Sequence, residues 1–453
     1  MTEIKVNPSQ YIKDISKDYS IYVCENRAVP RVTDGLKDAQ RKALWLVRNK
    51  ADKIKTVSLA GEMISSNLYL HGDQSAAGAI SMLAAPFCNN IPLLHGIGSF
   101  GTRVAPVEGI GAPRYTYVKR GKAAQELMFP DLNIVPLREN YDGSTMEPET
   151  FLPVIPTVLL NGVSGIAVGW STDILPRKLS DIIDATIAAL DGKKVKTLVP
   201  TYSYLQCNVQ HIEDNSWRFT GKCEVTDTST VVVTELPPDL TLEKFKDKLN
   251  TMEEEGKINT YIDRSTENIE VTVKFARGAV KGWTEEKAIE FLKLSQKKSE
   301  RIVVIGWNGH SIVQYKSAEQ LVKDFVEWRL GWYVKRYENM LLEDHDELKF
   351  WKGVKACFDG KLPAKLPKKQ NKAEVESEVK GLTKGLDLSD GQINKIIGLP
   401  TYKWALDEYE NVKSKISDLE ANIADYTAIL SNDDLIKGIY REELQALKKE
   451  KFV

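Results

Sequence analysis

Between residues 400 and 430 apolar side chains return in strict 4-3 alternation, at Val412, Ile416, Leu419, Ile423, Tyr426 and Leu430. A stripe of that period runs along one side of a helix and has to be covered, so the stretch predicts a long helix with a partner of similar length. A partner is available upstream. Ser317 and Gln320 make a capping box, after which Leu321, Phe325, Trp328 and Trp332 recur at spacings of four, three and four, and helical signal persists to about residue 358, where D-G-K-L-P ends it. Two such helices around a globular patch read as an antiparallel coiled-coil arm with a knob at its tip, followed by a last helix at 432–450. Periodicity alone fits an ordinary helical bundle equally well. Since 453 residues with 42% apolar content can bury several cores, the arm is one part of a chain of about three domains.

The N-terminal part carries shorter periods. Tyr11, Ile15, Tyr19, Tyr22 and Val23 mark a helix, and after Pro30 the run T-D-G-L-K-D-A-Q-R-K-A-L-W-L-V starts another, with Leu36, Ala43, Leu44 and Val47 inward and Lys37, Arg41, Lys42 and Arg48 elsewhere. Taken alone, those cations are a solvated helix face. A helical pair follows at 54–67 and 74–84, joined through Leu70-His71-Gly72-Asp73, which is helix-turn-helix geometry. Residues 151–160 are a buried apolar run closed by the turn signal Asn161-Gly162, and 175–192 read as a helix ending at Gly192. From 198 to 315 strand-like runs (231–234, 269–275, 302–305) alternate with helices at 242–254 and 285–297, an α+β arrangement.

The stretch with most chemical content is 98–122, G-S-F-G-T-R-V-A-P-V-E-G-I-G-A-P-R-Y-T-Y-V-K-R-G-K. It holds five Lys or Arg against Glu108 alone, in a chain whose net charge is −1. Glycine-rich, cationic loops let a backbone approach a phosphodiester closely. Tyr115 stands directly after Arg114. A tyrosine oxygen can attack phosphorus and keep the bond energy in a phosphotyrosyl ester; with a free pKa of roughly 10 it needs cations nearby to favour the phenolate. An Arg-Tyr pair on its own is ordinary surface.

Other classes are narrowed by what the chain lacks. No apolar run approaches the roughly 20 residues of a membrane span, and the start M-T-E-I-K-V-N-P-S-Q does not read as a signal peptide, so a cytoplasmic location is expected. Cys24, Cys88, Cys207, Cys223 and Cys357 are scattered without C-x-x-C spacing, which argues against a disulfide framework or zinc site and for reduced core thiols. The acids Glu139, Asp142, Glu147 and Glu149 read as a solvated loop rather than a Mg²⁺ site. Asp344-His345-Asp346 falls on the arm, facing solvent.

Four motifs in order, E-N-R-A-V-P-R-V-T-D-G-L-K-D-A-Q-R-K-A-L at 25–44, H-G-D-Q-S at 71–75 with G-S-F-G-T-R at 98–103, A-P-R-Y-T at 112–116, and I-P-T-V-L-L-N-G-V-S-G-I-A-V-G-W-S-T at 155–172, resemble the breakage-reunion (gyrase A-like) region of type IIA DNA topoisomerases. The resemblance implies a multidomain α+β chain: a winged-helix DNA-cleavage domain at 1–150, a tower domain at 151–316, and a coiled-coil arm with a helical dimerisation knob, the C-gate, at 317–453. It implies that Tyr115 is the nucleophile making a transient double-strand break through a 5′-phosphotyrosyl link, with Arg114 beside it. Arg27, Lys37, Lys42 and His71 match positions at the cleavage site, and Ile166 matches an isoleucine that wedges between base pairs and bends the duplex. Relatives commonly carry a second histidine where this chain has Tyr69.

No G-x-x-x-x-G-K phosphate loop and no convincing acidic cluster appear in the sequence. The resemblance therefore implies that ATP and Mg²⁺ are handled by a partner, a gyrase B-like ATPase/Toprim subunit, while this chain forms a homodimer through the C-gate on double-stranded DNA. Relaxation and decatenation are the expected outcome, since no wrapping domain of the gyrase type is visible. The main rival is a non-catalytic helix-turn-helix DNA-binding protein with a coiled-coil dimerisation arm. A tyrosine recombinase lacks support, because its Arg and His-x-x-Arg set and C-terminal tyrosine are missing. A purely structural coiled coil leaves the N-terminal motifs unexplained.

Overall fold

A computed structural model describes residues 8–452; residues 1–7 and 453, and the side chains of 8–14 with Tyr11 among them, lie outside the described residues. The chain divides into two compact units, Met1–Arg329 with Arg441–Val453, and Leu330–Tyr440. Among the described residues no helix is long and apolar enough to cross a membrane.

In the first unit, helix α1 (Pro8–Val23) forms as its period predicts, yet Ile15, Tyr19 and Ile21 remain exposed. Helices α2 (Asp38–Val47), α3 (Thr56–Ser65) and α4 (Asp73–Ala84) pack together on Ala43, Leu44, Val47, Leu59, Met63 and Ile80, all fully buried. An antiparallel sheet closes this group, with β1 (Ile54–Lys55) and β2 (Leu94–Ile97) on either side of β3 (Tyr117–Arg120). Register is fixed by Val118, which is fully buried between Ile54 and Gly96. This is a winged helix, with α3 and α4 as the helix-turn-helix. Asn67, at φ 57°, takes the left-handed turn that lets the chain leave α3.

The cations of α2 are not a solvated face. Arg41 is buried and grips Asp34 with two bonds, Nε to Oδ2 at 2.6 Å and Nη2 to Oδ1 at 2.9 Å, while Asp34 also accepts the backbone N–H groups of Leu36 and Phe151. A buried carboxylate so fully partnered ties the start of the winged helix to the apolar run at 151–160, which is buried throughout.

The α+β region centres on a four-stranded antiparallel sheet in the order Lys222–Asp227, Thr230–Glu235, Val271–Lys274, Thr260–Asp263. Its core joins Val231, Val233, Val271 and Val273 to Phe245 and Leu249 of helix Leu242–Glu254 and to Leu292 of helix Glu285–Leu292. The predicted helix at 285–297 stops early because Lys293 turns left-handed (φ 52°), and Ser295–Ser299 becomes a strand paired with Ser216–Thr220. Helix Leu179–Leu190 and strand Ile302–Ile305 appear where expected.

Helix Ala318–Asp359 runs for 42 residues and opens with the Gln320 N–H on Ser317 Oγ. Within the second unit it runs antiparallel to Leu406–Leu430: Tyr337 meets Tyr426, Asp344 meets Asn422, and Asp359 meets Tyr409. Val412, Ile416 and Leu419 of the 4-3 stripe are buried with Val354, Cys357, Val379, Ile393 and Ile396, which form the knob's core. The predicted helix begins a turn late, because 401–404 form a tighter turn and Ala405 is extended. His345 and Asp346 are exposed as expected and Asp344 is half-buried, while the Asp346 side chain accepts from Gln392 Nε2.

Candidate active site

β3 is preceded by a loop that folds back on itself. Ser99 Oγ donates to Gly109 O at 2.6 Å, the Gly111 N–H to Ser99 O at 3.0 Å, and Phe100 bridges Ile110. Gly101 sits at φ +94°, and a Cβ there would lie 2.1 Å from Pro106 O, so no other residue fits this fold-back. At the end of the loop the backbone is bolted to the first turn of α3: the Val57 N–H bonds Pro113 O, the Thr56 N–H bonds Thr116 O, and the two threonine hydroxyls are 2.9 Å apart. Tyr115 lies between these fixings with its side chain 69% exposed. The Arg114 guanidinium stands 4.8 Å from the centre of its ring, an intimate cation on the face of a phenol. Rigid backbone and exposed hydroxyl are the combination a nucleophile requires.

A second group gathers around a concavity of about 530 Å³ whose lining includes Asn26, Arg27, Lys37, Tyr69, His71 and Ser75. His71 is the hub. Arg27 Nη2 lies 3.1 Å from both of its ring nitrogens, Tyr22 Oη lies 2.8 Å from Nε2, and Tyr69 packs edge-on at 5.3 Å while its hydroxyl meets Ser75 Oγ at 2.9 Å. Burial, then the Arg27 charge, pulls the imidazole below its ordinary pKa, which favours the neutral ring as acceptor. Lys37 Nζ donates to Ser164 O at 2.7 Å, and burial lowers its pKa too. Arg27, Lys37 and His71 are thus brought together, and Tyr115 is not among the residues lining their recess.

Lys42 departs from the expectation. It is only 7% exposed, and its ammonium sits between Asp38 at 2.9 Å and Glu147 at 3.0 Å, so its charge is already matched inside the protein. Of the acids read as a solvated loop, Glu139 and Asp142 are exposed as expected, whereas Glu147 is buried and bridged by Arg138, and Glu149 pairs with Arg31. Among the described residues no cluster of three or more His, Cys, Asp or Glu side chains is placed to hold a metal ion, and the five cysteines are free.

Ile166 ends strand Val163–Ile166 of a hairpin with Ser171–Ile174, and at 87% it is as exposed as any large apolar side chain on the chain's described surface. Val168 and Trp170 are exposed on the same tip. Gly165 lets the hairpin lie against the end of the first helical segment, since a Cβ there would come within 2.0 Å of Ala28 O. Tyr22 was hidden from sequence reasoning, because its partner is 49 residues away and its spacing marked only a helix face.

A family model for the A subunit of DNA gyrase/topoisomerase IV matches residues 27–445. The chain belongs to this family. Among relatives of this DNA gyrase/topoisomerase IV family, the chain is 35% identical to the DNA topoisomerase medium subunit of Enterobacteria phage T4 over 336 residues, which is 72% of this chain and 74% of that one. It is 31% identical to DNA topoisomerase 2-alpha of Gallus gallus over 69% of its length, but spans only 21% of that larger protein. The fold matches the DNA-binding, cleavage and re-ligation domain of Plasmodium falciparum topoisomerase II with a TM-score of 0.83 at 22% identity, over 96% of this chain and 65% of that one. For a topoisomerase chain of this family, an exposed tyrosine on a winged helix and a bare isoleucine at a hairpin tip are two features that need a physical use.

Proposed function

We propose that the chain is the DNA-cleaving and rejoining subunit of a type II topoisomerase, with Tyr115 as nucleophile. The observation that carries the reading is a 69% exposed phenol on an immobilised backbone, faced by a guanidinium. In the proposed step the Tyr115 phenol gives its proton to water, the Oη–P bond forms in line as the bond from phosphorus to the 3′ oxygen breaks, and the 3′ oxygen takes a proton back from water, leaving the 5′ phosphate on the tyrosine and a 3′ hydroxyl on the other strand end. Reversal reseals the strand with no loss of bond energy. Arg114 lends charge to the phenolate and then to the phosphoryl oxygens. Arg27, Lys37 and His71 hold backbone phosphates, His71 through whichever ring nitrogen carries a proton. Ile166 enters a base step and bends the duplex, at a cost of a few kcal/mol in unstacking that is offset by the extra contact a bent duplex makes.

Among the described residues no three or more His, Cys, Asp or Glu side chains gather as a metal site. Mg²⁺ and ATP are proposed to be held by a gyrase B-like partner. The exposed Tyr402 and Leu406 of the knob support pairing of two copies there, which lets two strands be cut together, and relaxation and decatenation follow as the proposed outcome, in the cytoplasm of the cell that holds the DNA.

The test is to mix the chain, DNA, Mg²⁺ and the partner subunit, stop with detergent, and sequence the peptide attached to DNA. Attachment at Tyr115, abolished by Tyr115→Phe, is the expected result; attachment elsewhere, or undiminished attachment in Y115F, rejects the assignment.

A further inference from the structure

The loop that carries Tyr115 has two anchorages, and one of them lies outside the winged helix. At the far end from the tyrosine, Arg103 Nη2 donates to Glu235 Oε1, the last residue of strand Thr230–Glu235 in the α+β region. The next residue, Val104, packs against that region's apolar core. The two charged side chains are only 13% and 8% exposed. Glu235 is itself immobile, since Oε2 accepts the Gln206 N–H at 2.8 Å and Oε1 the Leu236 N–H at 2.9 Å. A carboxylate that takes two backbone donors and a guanidinium is a fixed point.

Between the anchorages the loop has little slack. The Thr102 N–H bonds Ala105 O at 3.1 Å, the Ala105 N–H bonds Thr102 Oγ1 at 3.1 Å, and the Gly109 N–H bonds Ala105 O at 3.1 Å. Gly109 has no room for a side chain, with Ala105 O 2.6 Å from where a Cβ would stand. Those braces run on through Ser99 and Gly111 to Ala112, whose carbonyl accepts the Tyr115 N–H at 2.9 Å. A shift of the α+β region therefore reaches the tyrosine instead of being absorbed on the way.

We propose that the α+β region seats on the duplex flanking the cut, and that Arg103 and Glu235 are positioning residues that transmit this seating to the Tyr115 hydroxyl. They touch no reacting atom. They set how well the phenol oxygen lines up with phosphorus, and a misplacement of about 1 Å costs on the order of a hundredfold in rate. The inference rests on the reading of Tyr115 as nucleophile and adds to it the means by which a distant grip on DNA licenses the cut.

The experiment uses the full chain with Mg²⁺ and its partner subunit, on a long duplex and on a short one that ends before the α+β region. Detergent-trapped covalent DNA is measured over time at saturating DNA, beside the Kd for each duplex. For Arg103→Ala on the long duplex the expected result is a cleavage rate lower by about 10- to 100-fold with Kd changed less than about threefold, and on the short duplex equal rates for R103A and wild type. Arg103→Lys should recover part of the loss. Wild-type cleavage by R103A on long DNA, a parallel loss of binding and cleavage, or an equal deficit on both duplexes overturns the proposal. Glu235→Gln keeps the shape and weakens the anchor, so it repeats the comparison should R103A not fold. Y115F separates the two ideas, because DNA attached to that variant refutes the nucleophile and leaves the duplex-length result to judge the anchor.

Discussion

Lys37 and Lys42 are five residues apart at the start of one helix, and the fold gives them opposite work. Lys37 opens onto the recess with His71, whereas Lys42 closes a buried cluster with Asp38 and Glu147. Lys37→Ala is expected to weaken DNA binding uniformly across sequences and to reduce the salt dependence of the binding constant by about one ion, measured by titrating salt in a binding assay. Lys42→Ala should leave that salt slope unchanged and lower stability by up to about 3 kcal/mol in denaturant unfolding, since two buried acids lose a cation but keep Arg138 and Arg41. His71 predicts a pH dependence. Its folded pKa lies below the unfolded value of about 6.5, so the unfolded chain binds the extra proton first. Stability from this residue is complete above that value and falls as pH drops toward the folded pKa; melting of wild type against His71→Gln across pH 5 to 8 should show the slope flattened in the variant. Motif order announced all these residues. It could not separate Lys37 from Lys42, because which cation is already neutralised depends on Glu147, a hundred residues away in sequence.

At the scale of elements, the long helices were legible because their 4-3 stripes are local records of a buried face, and Val412, Ile416 and Leu419 are buried as that record requires. Strand Ser295–Ser299 was not, because its pairing with Ser216–Thr220 is made across the chain and S-Q-K-K-S has no apolar alternation to betray it. The hairpin that ends at Ile166 shows the same limit from the other side: V-S-G-I-A-V-G-W reads as strand core, yet only four residues on each strand pair and the tip stands in solvent. Ile166→Ala should leave thermal stability within about 0.5 kcal/mol, as for any side chain with few contacts, and should reduce the bend of a cleavage-site duplex seen by end-to-end energy transfer. An unchanged bend would remove the wedge from the mechanism.

For the whole molecule, the α+β region and the knob each have their own apolar core, so substitutions in one should leave the other folded. Leu406 is 87% exposed on the knob, where a single chain has no structural use for it. Leu406→Glu is expected to keep the melting temperature and shift sedimentation toward the monomer, while single-strand nicking outlasts double-strand cleavage. An unchanged dimer would place self-association elsewhere on the surface.

The bond from the Lys37 ammonium to the Ser164 carbonyl has a consequence for which residues that position can accept. An ammonium points its three protons to the corners of a tetrahedron, so with one committed to the hairpin two stay available to an incoming phosphate from the same nitrogen. Arginine carries its donors in a plane at the end of a longer side chain, so Lys37→Arg changes the geometry of the bond to the Ser164 carbonyl and of the proposed phosphate contact together, and the substitution usually thought mild alters both.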